Sequence, residues 1–278
     1  MKKQELCQLL ETELKECFNL MIINDIANYI WVELSKQKET TYDAFEELKD
    51  TFLFKNWIQK LKDGIPIQYV LHNSCFYGID FEVNEDVLIP RPETEELVSW
   101  ILCDEKSADG KQVLDIGTGS GCIPIVLKMN RPEWEVSSID ISQTAINVAK
   151  RNALAYNLDI QFSQIDFLKE NSLLEDSFDL IISNPPYIAK NELDDISTSV
   201  LSFEPLIALF PTGDDPLIFY RVIASWAKKH LKKTGSMYFE LNEFLYSEIE
   251  QIFQDTGYSK MEVREDMQGK KRMLKVQF

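Results

Sequence analysis

From residue 112 to the end of the chain, short apolar segments typical of strands alternate with amphipathic segments typical of helices. The predicted strands are Val113–Leu114, Val136–Ile139, Ile160–Ile165, Phe178–Ser183, Met237–Leu241, Met261–Val263 and Met273–Phe278. Parallel strands need a crossover connection, and a helix between most of these segments supplies one. The pattern therefore predicts an α/β fold with a doubly wound, mostly parallel sheet. Such sheets bind ligands at the carboxyl ends of their strands.

The segment Phe178–Tyr187 ends one of these strands in Asn184-Pro185-Pro186-Tyr187. Neither proline can donate a hydrogen bond to a neighbouring strand, so pairing must stop near Asn184. A carboxamide is thereby held at a strand end on stiff backbone, and an aromatic ring follows it. A rigid loop could use the same residues, but their place at the ligand-binding edge favours a substrate site.

A second motif, D-I-G-T-G-S-G, joins a predicted strand to a predicted helix. Glycines let such a turn bend tightly and approach a ligand closely. The spacing is G-x-G-x-G followed by Cys122, which does not match the dinucleotide pattern G-x-G-x-x-G. An acidic residue ahead of the turn disfavours a phosphate and favours a cationic, amine-bearing ligand. The predicted binding residues are Asp115, Gly117, Thr118, Gly119, Ser120 and Gly121.

Acidic residues also follow the next two predicted strands. Asp140 could accept both hydroxyl groups of a ribose. Asp166 could bind an adenine amine, with Phe167 covering the ring. Either aspartate could instead cap a helix. Together with Asp115, they predict a nucleoside that carries an amino acid rather than phosphates, and S-adenosylmethionine fits that description.

The first 72 residues show helical periodicity. Apolar residues recur in steps of three and four from Leu6 through Leu10 and Leu14 to Met21, and Tyr42–Leu61 gives a later stripe. Stripes of this kind usually form a core, so we predict a small helical bundle and assign no chemistry to it.

From Phe76 to Ile89 the apolar period changes to two, which predicts a β-hairpin with its turn near Asn84–Asp86. Pro92 and the acidic residues after it then favour a helix start. We therefore expect a helical bundle over residues 1–72, a hairpin linker over 73–90 and a catalytic domain over 91–278.

Composition excludes several classes of function. A net charge of −17 argues against a nucleic-acid partner, because phosphate binding depends on lysine and arginine. Five cysteines without CxxC spacing indicate reduced thiols in a cytosolic protein, and two distant histidines, His72 and His230, give no support for a metal centre. No apolar run approaches transmembrane length. We expect a cytoplasmic monomer with no membrane partner.

Two of these motifs resemble known signatures. The segment from Asp115 to Gly121, with Asp140, resembles that of class I S-adenosylmethionine-dependent methyltransferases. Asn184 to Tyr187 resembles the motif of enzymes that methylate a planar amide or amine nitrogen. The run V-L-I-P-R-P-E-T-E, from Val87 to Glu95, is more specific and is similar to the PrmC/HemK family, the release factor glutamine methyltransferases. Gly64-x-Pro66-x-x-Tyr69, Phe76-x-Gly78-x-x-Phe81 and Phe203-Glu204-Pro205 are also similar to that family.

The resemblance implies a class I methyltransferase sheet, mostly parallel with a closing antiparallel strand, beside a substrate-docking bundle. It implies S-adenosylmethionine as cofactor and class 1 peptide chain release factors as partners. The methyl acceptor would be the side-chain amide nitrogen of the glutamine in their GGQ motif. Departures from the family are His72 and Asn242, where the family has glycine, and the loop from Pro211 to Pro216.

The acceptor motif gives the predicted catalytic residues Asn184, Pro185 and Tyr187, with Pro186 also contacting the substrate and Asn184 also adjoining the cofactor. By hypothesis, the Asn184 side-chain oxygen and the Pro185 carbonyl accept the two N–H groups of the substrate amide, and Tyr187 stacks on it. Arg91 and Glu95 either close the pocket or hold the hairpin. Two alternatives stay open: an adenine-N6 nucleic-acid methyltransferase and a catalytically silent S-adenosylmethionine-binding module.

Overall fold

The computed structural model describes residues 3–36, 51–106, 109–174 and 176–278. The chain divides into two compact units, Met1–Asn73 and Ser74–Phe278. Among the described helices, none is long and apolar enough to cross a membrane.

The first unit consists, in its described residues, of helices joined by short turns. Its helices are α1 (Lys3–Leu14), α2 (Leu20–Lys36), α3 (Phe52–Lys62) and α4 (Ile67–Leu71). The predicted stripe of Leu6, Leu10 and Leu14 is fully buried. Met21 is exposed, contrary to prediction, because the break between α1 and α2 resets the helical phase and buries Ile23 instead. The part of the predicted Tyr42–Leu61 stripe before residue 51 lies outside the described residues.

The second unit begins with the hairpin, formed by β1 (Asn73–Phe76) and β2 (Ile79–Glu82). The predicted turn at Asn84–Asp86 is wrong. The chain turns at Tyr77 and Gly78, whose φ angles of 52° and 77° are those a two-residue hairpin turn requires. Asn84 instead stabilises a later loop, since its Oδ1 accepts a hydrogen bond from the Asp86 N–H.

A seven-stranded sheet forms the core of the second unit. Its strands are β3 (Gln112–Ile116), β4 (Glu135–Asp140), β5 (Gln161–Gln164), β6 (Phe178–Ser183), β7 (Leu231–Glu240), β8 (Lys260–Glu265) and β9 (Lys271–Gln277). They lie in the order β5-β4-β3-β6-β7-β9-β8. Neighbours from β5 to β7 are parallel, whereas β9 is antiparallel to both β7 and β8. The predicted α/β fold is confirmed, including the closing antiparallel strand.

The helices of this unit pack in two groups. They are α5 (Pro92–Asp104), α6 (Cys122–Asn130), α7 (Gln143–Ala155), α8 (Phe167–Glu170), α9 (Thr198–Phe203), α10 (Leu206–Leu209), α11 (Ile218–His230) and α12 (Tyr246–Thr256). Helix α6 packs against both α5 and α7, and α11 packs against α12. Ile181, Tyr220 and Phe239, all fully buried, belong to the core that joins α11 and α12 to the sheet.

The register of the central strands places three loops side by side. Ile116, at the end of β3, lies opposite Ile139 of β4 and Ser183 of β6. The sheet order reverses at β3, which is the topological switch point where open α/β sheets bind ligands. The segments that begin at Gly117, Asp140 and Asn184 therefore meet at one place.

Asn152 of α7 and Tyr156, the residue that follows α7, hold the hairpin in place. Asn152 accepts a hydrogen bond from the Glu82 N–H at 2.7 Å and donates to the Glu82 and Ser120 carbonyls at 3.0 and 2.8 Å. The Tyr156 hydroxyl accepts from the Asp80 N–H and donates to the Asp80 carbonyl. One buried amide thus ties both the hairpin and the glycine-rich turn to the same helix.

We expect Asn152→Ala to lower the free energy of unfolding by about 2–3 kcal/mol, because it leaves buried backbone groups of Glu82 and Ser120 without hydrogen-bond partners. Asn147 is exposed on the same helix and provides a matched control. Asn147→Ala should change stability by less than about 0.5 kcal/mol. Urea denaturation measures both variants, and equal effects would contradict the assignment.

Candidate active site

A cavity of about 340 Å³ opens at the switch point of the sheet. We call it the large cavity. It brings together most of the predicted site residues, namely Gly117, Thr118, Gly119, Ser120, Asp140, Asp166, Phe167, Asn184, Pro185 and Pro186. Asp115 and Gly121 are not among its lining residues, and Tyr187 lines a second cavity described below.

The glycine-rich turn needs its glycines for two different reasons. Gly117 and Gly119 line the cavity with φ angles of 82° and 54°, which side-chain-bearing residues rarely adopt. Gly121 precedes α6 with φ 82°, and a Cβ there would lie 3.1 Å from the Ala149 Cβ of α7. The first two glycines bring backbone close to the cavity, and the third lets two helices pack closely.

Asp140 braces this turn from the end of β4. Its Oδ2 accepts from the Gly119 N–H at 2.9 Å, and its Oδ1 accepts from the Ser142 N–H at 2.9 Å. Burial raises the pKa of Asp140, while these backbone hydrogen bonds oppose the rise. A carboxylate oxygen has more than one acceptor site, so Asp140 can still accept hydrogen bonds from a ligand in the cavity.

Asp115 lies behind the turn and is fully buried. Its Oδ2 accepts from the Ser138 hydroxyl at 2.6 Å. Its Oδ1 and the Thr118 hydroxyl lack a well-formed hydrogen bond among the described residues. Burial raises the pKa of Asp115 to about 6. Thr118 lines the cavity, so acceptor capacity and the nearby negative charge of Asp115 lie on the side of the turn that fits a ligand with donors, such as the ammonium group of an amino acid.

The third acidic position combines a helix cap with a cavity wall. Asp166 accepts from the Leu168 N–H as the N-cap of α8, and it also pairs with Lys169 at 2.8 Å. The Phe167 ring is buried and packs edge-on against Trp226, with 5.2 Å between centroids. Ile141 is 40% exposed and lines the cavity nearby, so it also offers a surface for a flat ring.

Asn184 is held in one orientation by two neighbours. Its Nδ2 donates to Glu240 Oε2 at 3.0 Å and to the Thr94 hydroxyl oxygen at 3.2 Å. The Thr94 hydroxyl in turn donates to the same Glu240 oxygen at 2.6 Å. Because both neighbours use the amide nitrogen, Asn184 keeps its Oδ1 as an acceptor in the wall of the large cavity.

Tyr187 is fixed by the same carboxylate. Its hydroxyl donates to Glu240 Oε1 at 2.9 Å, and burial raises the pKa of that phenol well above its usual value. The Tyr187 carbonyl accepts from Nδ2 of Asn242, which also donates to Glu192 at 2.8 Å. Asn242 therefore anchors the loop after the two prolines.

A second, smaller cavity of about 140 Å³ adjoins the first, and we call it the small cavity. Its lining residues are Leu88, Arg91, Asn184, Pro185, Tyr187, Ile188, Val200, Ala208, Leu209 and Glu240. Asn184 and Pro185 line both cavities. The Asn184-Pro185 segment therefore borders both cavities, and a group bound in either one would contact it.

Arg91 and Glu95 hold structural contacts. Arg91 Nη2 pairs with Glu204 Oε1 at 2.6 Å, and Glu204 Oε2 accepts from the Ile89 N–H. Glu95 accepts from the Tyr77 N–H at the hairpin turn. Arg91 lines both cavities, and its ion pair with Glu204 joins the segment before α5 to the segment before Pro205, which lines the large cavity. Glu95 fixes the hairpin to α5.

Sequence reasoning missed Glu240, Thr94 and Glu204 as site residues. All three are buried polar side chains whose oxygens bond groups far away in sequence. A carboxylate that directly ends the apolar strand segment M-Y-F was the available signal for Glu240. Thr94 lies in a segment that also fits a helix start, and Glu204 lies in a segment that also fits a loop.

Comparisons with known proteins agree with this geometry. The model of the methyltransferase small domain matches residues 97–214. The release factor glutamine methyltransferase of Flavobacterium psychrophilum is 37% identical over 99% of this chain and 96% of its own. The chain belongs to the release factor glutamine methyltransferase family. The predicted family and enzyme class are confirmed.

A second relative supports the same family, and a solved structure supports the fold. The release factor glutamine methyltransferase of Bacteroides thetaiotaomicron is 34% identical over 98% of this chain and 96% of its own. A methyltransferase structure from Pyrococcus furiosus has a TM-score of 0.53 at 20% identity, covering 73% of this chain and 90% of that one. The structural likeness supports the fold alone.

The burial of Asp115 predicts a pH-dependent stability. Its pKa rises from 3.8 to about 6 in the folded state, so the folded protein binds a proton that the unfolded chain has lost between these values. Stability should therefore fall as pH rises through this window, by up to about 3 kcal/mol from this group.

Asp115→Asn should remove that contribution, so the variant should gain stability relative to the wild type between pH 3.5 and pH 7. Urea denaturation of both proteins across this range measures the difference in their free energies of unfolding. The other titrating groups are the same in both proteins, so their contributions cancel. A gap that is independent of pH would contradict the prediction.

Proposed function

We propose that this methyltransferase transfers a methyl group from S-adenosylmethionine to the side-chain amide nitrogen of a glutamine in class 1 peptide chain release factors. The observation that carries this proposal is the fixed orientation of Asn184. Glu240 and Thr94 occupy its amide nitrogen, and its oxygen is left to accept a hydrogen bond at the wall between two cavities.

The large cavity fits S-adenosylmethionine by the chemistry of its walls. When bound, this cofactor supplies an electrophilic methyl group on a sulfonium. Gly117 and Gly119 let the backbone approach it closely, and Asp140 offers acceptors to its ribose. Asp115 contributes negative charge and unsatisfied acceptor capacity on the side where an ammonium group would bind.

The small cavity fits the side chain of the acceptor glutamine. Its walls are mostly apolar, through residues such as Leu88, Ile188 and Leu209, which suits the methylene groups of that side chain. Its polar side chains are Arg91, Asn184, Tyr187 and Glu240, and it shares the Asn184-Pro185 segment with the large cavity. A glutamine amide bound there would face the methyl donor.

A glutamine amide nitrogen is a weak nucleophile because its lone pair is delocalised into the carbonyl. Asn184 Oδ1 and the Pro185 carbonyl would accept its two N–H hydrogens and aim the nitrogen at the methyl group. Pro186 keeps that backbone stiff, so the acceptors need no reorganisation. Tyr187, held by its hydrogen bond to Glu240, would stack on the amide plane.

We further propose that the helical unit docks the release factor. Helix α2 exposes the apolar side chains of Leu20, Met21 and Val32, each more than half accessible. Because the substrates are translation proteins and the described cysteines form no disulfides, we propose that the enzyme acts in the cytoplasm.

The proposal is tested with the purified chain, labelled S-adenosylmethionine and a release factor. The wild type should label one glutamine, and Asn184→Ala should lose about 100-fold or more in rate because it removes an orienting acceptor. Asn147→Ala provides an exposed asparagine control and should retain wild-type activity.

Calorimetry with S-adenosylmethionine should show near wild-type binding for Asn184→Ala, which separates a catalytic defect from a cofactor-binding defect. Label that appears only on DNA or RNA, or near wild-type transfer by Asn184→Ala, would contradict the proposal.

A further inference from the structure

Glu240 is a buried carboxylate with an unusual set of partners. It ends β7, is 2% exposed, and forms no ion pair with any described residue. Burial raises its pKa, while hydrogen bonds from Thr94 and Tyr187 and the field of Arg272 oppose the rise. An unpaired buried carboxylate is costly unless its oxygens are well hydrogen-bonded.

Its oxygens bond the groups that form the acceptor site. Oε2 accepts from the Thr94 hydroxyl at 2.6 Å and from Asn184 Nδ2 at 3.0 Å, and Oε1 accepts from the Tyr187 hydroxyl at 2.9 Å. Its backbone carbonyl accepts from the buried Tyr220 hydroxyl at 2.9 Å, which holds the strand end itself. One side chain thus contacts both polar members of the Asn184–Tyr187 segment.

The chemistry of the partner decides which way Asn184 faces. A carboxamide carries a donor end and an acceptor end of nearly the same shape, so it can rotate by half a turn. An ionised carboxylate only accepts hydrogen bonds. It therefore selects the rotamer in which the Asn184 nitrogen faces inward and the oxygen faces the cavities. A hydroxyl or an amide in its place could both donate and accept, so it would pair with either end of the Asn184 amide.

We propose that Glu240 is the positioning residue of the methyl-acceptor site, and that its negative charge selects the Asn184 rotamer that accepts the substrate N–H. Thr94 assists by donating to Glu240 and accepting from Asn184. This inference rests on the proposed function, because it assigns a role within the same site.

The charge and the amide can be exchanged between the two positions. In Asn184→Asp, two carboxylates face each other at about 3 Å, which disfavours the geometry of the site. In the double variant Asn184→Asp/Glu240→Gln, the Gln amide can donate to one oxygen of Asp and leave the other as an acceptor. The pair then carries one negative charge, as in the wild type.

The decisive comparison measures methyl transfer to a release factor by the wild type, Asn184→Asp, Glu240→Gln and the double variant. Asn184→Asp should be about 1000-fold slower than the wild type, and the double variant should be at least about 10-fold faster than Asn184→Asp. Glu240→Gln alone should lose only about 3- to 10-fold, because glutamine can still offer its oxygen to Asn184.

Asn184→Asp/Glu192→Gln is the matched control, because Glu192 is another carboxylate beside the same loop but bonds Asn242. It should show no recovery over Asn184→Asp. A double variant with Glu240→Gln that is no faster than Asn184→Asp would overturn the inference, and so would equal recovery in the control.

Binding provides a second measurement. The affinity for a Gly-Gly-Gln peptide in the presence of S-adenosylhomocysteine should fall in Asn184→Asp and recover in the double variant, while S-adenosylhomocysteine binding alone stays near wild type. Recovery of folding without recovery of peptide binding would overturn the inference. A wild type that labels no glutamine would instead contradict the proposed function, and the inference with it.

Discussion

The proposed acceptor site depends on one hydrogen-bonded contact, between the Asn184 amide nitrogen and the buried carboxylate of Glu240. Without this contact the Asn184 side chain would have no fixed orientation, since an asparagine at a strand end can face either way. The carboxylate removes that freedom, and the two prolines after Asn184 remove the freedom of the backbone. The sheet contributes by placing β3, β6 and β7 side by side, so the glycine-rich turn, Asn184 and Glu240 lie at the carboxyl ends of adjacent strands.

Much of this arrangement could be predicted because strand ends in a parallel sheet share one edge. Gly117, Asp140 and Asn184 are far apart in sequence, yet each follows an apolar run, and that pattern alone places them together. The family was predicted from a motif of nine residues, Val87–Glu95. The identities of these residues indicated the family, whereas their hydrophobic pattern did not. The residue pattern predicted the ligand-binding edge of the sheet and a nucleoside that carries an amino acid. The resemblance to a known family predicted the amide substrate.

The features that escaped prediction depend on tertiary contacts between distant residues. The hairpin turned at Tyr77 rather than near Asn84 because Gly78 allows a two-residue turn, and an Asn-Glu-Asp loop competes only weakly with that geometry. Asp115 lies behind its turn because Ser138 on the neighbouring strand binds it. Glu240 and Glu204 showed no periodic signal, since a buried carboxylate is recognised by its donors, which other segments supply.

The central claim is that Asn184 presents its oxygen to the substrate amide while Glu240 holds its nitrogen. A crystal structure of the full chain with S-adenosylhomocysteine and a Gly-Gly-Gln peptide tests this most directly. The account predicts the glutamine nitrogen at about 2.9 Å from Asn184 Oδ1 and from the Pro185 carbonyl, with Asn184 Nδ2 still on Glu240. A glutamine amide bound elsewhere, or an Asn184 side chain released from Glu240, would contradict it.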